Sequence, residues 1–169
     1  MTSSGGGAIR SLNGTTVQQA NDDYWSTGVR NKTYIAKAIA GEGGYASRET
    51  YANNYAKSME KSNQAVIDKY NNNPTNYTKS HYDYVMRTRK STEEYRQEGG
   101  REYDRIRQDA LNMASADVAK RMGYNISGSR GDHSASALNS VMGKSNADAL
   151  RASVVRNARQ FLDSRRRRR

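Results

Sequence analysis

SNADALRASVVRNARQFLDSRRRRR, residues 145–169, is the stretch whose reading decides the fold. Ala147, Leu150, Val154, Ala158, Phe161 and Leu162 recur at spacings of three and four, which places them on one face of a helix. Ser145 has the chemistry of an N-cap, and Asp148 falls in the first turn, where the helix dipole favours negative charge. Arg151, Arg156 and Arg159 lie off the apolar stripe, and Arg165, Arg166, Arg167, Arg168 and Arg169 close the chain. The pattern predicts an amphipathic helix with a protein-docking face and a cationic end.

The rest of the chain reads as helices of the same polar type. Residues 31–40, 47–70, 78–98 and 101–122 carry apolar positions at helical spacing, and 134–142 adds a short helix. Asn71-Asn72-Asn73-Pro74 ends the second of these, since the single proline forces its predecessor out of the helical region. Gly41-Glu42-Gly43-Gly44 ends the first, and Gly123 suits the residue after the last long helix. Gly99-Gly100 reads as a kink between two arms, with a hairpin as the alternative. Residues 1–30, with Gly5, Gly6, Gly7 and isolated apolar side chains, read as a flexible or extended arm, with two equal readings of its aromatics: Tyr24 and Trp25 anchor it to a partner surface, or Trp25 caps the small core. Residues 124–144 read as a linker around the short helix. The fold class is therefore all-α: an arm at 1–30, a helical region at 31–123, the linker, and the basic helix at 145–169.

Composition suggests a small core. Leu, Ile, Val and Phe number 20 of 169 residues, whereas tyrosine alone numbers 12. A chain so poor in bulky aliphatics is expected to gain order by packing against copies of itself or other subunits. The net charge of +11 is local: residues 124–169 hold 10 basic and 3 acidic groups. The cationic end is thus a device and not a general property of the surface.

Chemistry of other kinds has little support. With no cysteine, disulfides and thiolate sites are excluded, and no cofactor or metal is expected. His81 and His133 lack a ligand-type partner at i+4, and Glu93, Glu94, Glu98, Glu102 and Asp104 are interleaved with Lys and Arg at ion-pair spacing, the pattern of a solvated helix face. A general acid and base must converge in a water-poor cleft, so the expectation is a non-enzymatic protein. Arg130-Gly131-Asp132 and four Asn-x-Ser/Thr matches read as coincidence in a chain with no signal-like segment at its start. No apolar run approaches a membrane span, so an intracellular or intravirion setting is expected.

In composition the chain is similar to small basic structural proteins of virions and of ribonucleoprotein particles: no cysteine, a glycine-rich start, long polar helices and an arginine-rich end. The expected function is a structural component of a large assembly, of virion type. Leu150, Val154, Phe161, Leu162, Tyr24 and Trp25 would form its docking face, and the arginines would contact DNA, RNA or an acidic neighbour. Five terminal arginines on duplex phosphates would give a log K against log salt slope of about −4.5. A free-standing, sequence-independent nucleic-acid-binding module is the alternative, and a small enzyme using His81 or His133 is the third reading.

Overall fold

The computed structural model describes residues 9–126 and 135–167. Among them are seven α-helices and no strand: α1 Val17–Ser26, α2 Val29–Ala40, α3 Arg48–Asn72, α4 Asn76–Thr88, α5 Thr92–Arg121, α6 Ala135–Met142 and α7 Lys144–Arg167, with a single 3-10 turn at Gly43–Tyr45. The all-α expectation is met. The chain divides into two compact units, one made of Met1–Ala46 with Ile106–Arg169 and the other of Ser47–Arg105. Residues 31–123 are therefore not one region: the two ends of the chain fold together, and α5 contributes to both units.

In the first unit α7 is the central element, with α1, α2 and α6 laid against it. The later turns of α5 add Ala110, Ala114, Ala116, Val118, Ala119 and Met122 to the same apolar cluster. Nine of the 22 buried residues in that cluster are alanines. Small side chains let helix backbones approach closely, so the cluster is dense without many bulky residues. The count of Leu, Ile, Val and Phe underestimated for that reason how much the chain buries within itself.

The expected arm at 1–30 is also corrected for its described part. Thr16 accepts a hydrogen bond from the Gln19 amide while the Gln19 side chain accepts from the Thr16 amide, a capping box that starts α1. Upstream, the Leu12 amide donates to the Met122 carbonyl at 2.9 Å and the Asn13 side chain to the Arg121 carbonyl at 3.0 Å. Both carbonyls belong to the end of α5, where helical partners have run out. Gly123, at φ +97°, turns the chain there, and the Tyr124 amide returns to the Ala119 carbonyl. Tyr124 and Ile126 then enter the core, so the start of the expected linker is structural.

The second unit is thinner. Its buried apolar residues are Ala52, Ala56, Val85, Tyr95 and Tyr103. Polar contacts carry much of the α3–α5 seam: Tyr55 donates to Glu98 at 2.5 Å, Asn63 to the Tyr95 hydroxyl at 2.9 Å, and Arg48 bonds Asp104 through two nitrogens at 3.0 Å each. Thr75 caps α4 after Pro74, and Tyr70 stacks on Tyr82 with ring centroids 4.6 Å apart.

The break expected at Gly99-Gly100 lies instead at residues 89–91. Ser91 and Glu94 form a reciprocal cap, Ser91 accepting from the Glu94 amide and Glu94 from the Ser91 amide, and α5 then runs unbroken through both glycines. The α7 start is likewise one residue earlier than expected. It follows Gly143, whose carbonyl accepts from the Ala147 amide, so Ser145 lies inside the helix and is not its N-cap.

Candidate nucleic-acid interface on the basic helix

The apolar stripe of α7 faces inward. Leu150 and Val154 are fully buried, Leu162 nearly so, and Tyr24 and Trp25 of α1 lie in the same cluster. Phe161 is half-buried at the edge, its ring 5.4 Å from that of Trp25. The six residues read as a protein-docking face do meet, but they meet one another inside this chain. Their assignment to an external partner is corrected: the face is consumed by α1, α2 and α6.

That packing fixes where the arginines go. Arg151 is drawn inward, with a side chain only 12% exposed. It donates to the Ala135 carbonyl and to Asn139, both at 2.8 Å, and pairs with Asp148 at 2.9 Å. Arg151 therefore ties α6 to α7 and is corrected as an outward contact residue. Arg166 donates to Glu42 at 2.7 Å and also pairs with Asp163. The hydrogen bond to Glu42, then that to Asp163, holds its guanidinium charged above the ordinary arginine range. Arg156, Arg159, Arg165 and Arg167 are exposed and, among the described residues, have no carboxylate partner. Arg168 and Arg169 lie outside the described residues, as do His133 and the Arg130-Gly131-Asp132 tripeptide.

Charge follows the units. Residues 47–105 hold 11 basic and 9 acidic groups, whereas the unit containing α7 holds 17 and 8. Anion attraction thus belongs to the α7 unit. Arg165, Arg166 and Arg167 also occupy the last turn of α7, where positive charge complements the helix dipole and keeps the end helical.

Beside this end lies a groove between α1 and α7 that sequence reasoning missed. Asn21, Asp22, Trp25 and Ser26 form one wall and Asn157, Gln160, Phe161, Ser164 and Arg165 the other, around about 460 Å³. The Arg165 guanidinium sits over the Phe161 ring, 5.6 Å from its centroid. Asn21 anchors the wall: its amide donates to the Val17 carbonyl and to Ser153, and its oxygen accepts from the Trp25 indole. The signal available in sequence was the spacing itself, Asn21 and Trp25 four apart and Asn157, Phe161, Ser164 and Arg165 on a matching face.

Elsewhere, His81 is exposed on α4 with its ring 4.6 Å from that of Tyr77, and among the described residues no group of three or more acidic or histidine side chains could hold a metal ion. No helix among them is long and apolar enough to cross a membrane. No family model matches the chain, and no curated protein or solved structure matches it either.

Proposed function

We propose that this chain is a non-enzymatic protein that binds the sugar–phosphate backbone of nucleic acid, without reading sequence, through the cationic end of α7. The observation that carries this reading is the orientation of α7. Its apolar stripe is locked in the core, and Arg156, Arg159, Arg165 and Arg167 are exposed with no carboxylate partner among the described residues. Arginine keeps its charge at every physiological pH and can grip a phosphate through two nitrogens. A helix held by its own core presents those groups with little ordering left to do on binding. The same burial argues against a membrane partner, because the bulky apolar residues needed to enter a bilayer are already enclosed.

A role in a larger, virion-type assembly is the second reading. It is favoured by α4, where Tyr77, Tyr84 and Met86 are exposed at 66%, 59% and 39%, the kind of side chain enriched at subunit contacts. The two readings are compatible, since an assembly that packages nucleic acid needs both kinds of surface.

Fluorescence anisotropy with a labelled random-sequence oligonucleotide tests the first reading. Expected is salt-sensitive binding, indifferent to sequence, that weakens sharply when the chain is truncated after Ser164. Equal affinity for the truncated and full chains would remove the helix end from the account.

A further inference from the structure

We propose that the groove between α1 and α7 seats an unpaired base, so that the chain prefers single-stranded to duplex nucleic acid. The inference rests on the backbone-binding reading above and specifies its substrate.

The groove has the size and the make-up for such a guest. Its volume of about 460 Å³ lies within the range of small-ligand pockets. Trp25 forms an almost enclosed floor, at 5% exposure, and Phe161 presents a ring at the edge. Gln160 and Ser164 supply both donors and acceptors for a base edge, and Arg165 lies at the same wall. An aromatic face beside an unpaired cation is the pairing that single-strand binders use: the base stacks and the cation takes the adjacent phosphate. The guanidinium that now covers the Phe161 ring can give its place to a base and move to that phosphate. A duplex cannot use this groove, because its bases are stacked on both faces and their entry would require unpairing. The groove opens beside Arg165, in the last turn of the cationic helix, so one strand can engage both.

Trp25 is the chain's only tryptophan, which gives the groove its own optical reporter. The test titrates the full chain with a dT oligonucleotide of about a dozen residues and, separately, with a duplex of the same length, following both anisotropy and Trp25 emission. The expected result is Trp25 quenching by the single strand alone. In Phe161→Leu the ratio of single-strand to duplex affinity should fall about tenfold, the order of one base–aromatic stack, and it should also fall in Gln160→Glu, which removes the amide donor to the base edge. Gln160 is exposed on α7, so its variant folds even where the loss of the Phe161 ring disturbs packing, and the duplex affinity corrects for its added charge. Unchanged ratios in both variants, with no Trp25 response to the single strand, would overturn the groove proposal while leaving backbone binding intact. Binding to neither nucleic acid by the unmodified chain would instead overturn the reading on which it rests.

Discussion

A methyl group on Gly99 would lie 2.7 Å from the Cβ of Tyr55 and 3.0 Å from the Cα of Ala52. The glycine that looks like a helix breaker in sequence is there because α5 crosses α3 at that point with no room for a side chain.

Gly99→Ala should therefore destabilise the second unit. Alanine favours the helix by about 1 kcal/mol, but forcing a methyl group against backbone and Cβ costs about 1–3 kcal/mol. Gly100→Ala is the control: Gly100 is buried too, but the atoms nearest its new Cβ, at 2.8 Å, are those of the Arg48 guanidinium, the far end of a flexible and largely exposed side chain. Urea denaturation should show a loss for the first and near-neutrality or a small gain for the second.

Leu150→Ala removes a fully buried side chain from the middle of α7. The expected loss is about 2–5 kcal/mol, the range for an apolar cavity in a packed core. Sedimentation velocity on the unmodified chain should accompany it. A folded monomer that melts cooperatively is expected, because the face around Leu150 is satisfied within the chain.

Two arginines of one helix should separate by role. Arg151→Gln loses the bonds to Ala135, Asn139 and Asp148 and should lower stability by about 1–3 kcal/mol with little change in nucleic-acid affinity. Arg159→Gln should change stability by less than about 0.5 kcal/mol and weaken binding, with a smaller salt dependence. Melting and anisotropy measured on the same two proteins check both halves.

The Tyr55–Glu98–Lys90 chain gives the second unit a pH dependence with a definite sign. Lys90 at 2.6 Å, and then Tyr55, hydrogen-bond the Glu98 carboxylate and hold its pKa below the ordinary glutamate range. A depressed acid stabilises the fold above its unfolded pKa, and that contribution is lost as pH falls through the folded value. The bond to Glu98 also raises the Tyr55 phenol to about 12, so its contribution holds below pH 10 and is lost as pH rises from there. Glu98→Gln should flatten stability against pH on the acid side, and Tyr55→Phe should delete one of the late-titrating tyrosines in ultraviolet titration, leaving Tyr24, which burial also pushes up. An acid limb unchanged in Glu98→Gln would place the sensitive group elsewhere.

Much of this was legible in the chain. The stripe from Ala147 to Leu162 announced a helix with one apolar face, and Gly41, Pro74 and Gly123 marked ends that the structure keeps. What the stripe could not state was its partner: Leu150 and Val154 would look the same facing a neighbour or facing α1 and α2. Alanine was the larger obstacle. Ala36, Ala114 and Ala119 carry little hydrophobic signal, yet they are fully buried where helices touch. The capping boxes at Thr16–Gln19 and Ser91–Glu94 were readable by their spacing and would have moved two boundaries to their observed places. The α1–α7 groove belongs to neither helix alone, which is why only the assembled unit reveals it.

The central claim is that the chain itself holds α7 rigid and offers its cationic end to a nucleic-acid strand. Amide hydrogen exchange along α7, in the isolated monomer and with a dT oligonucleotide added, tests it most directly. The account predicts slow exchange from Leu150 to Leu162 in the free monomer, with added protection confined to the end near Ser164 and Arg165 when the strand binds. Fast exchange throughout α7 in the monomer, slowed only by the strand or by a second copy of the chain, would contradict it.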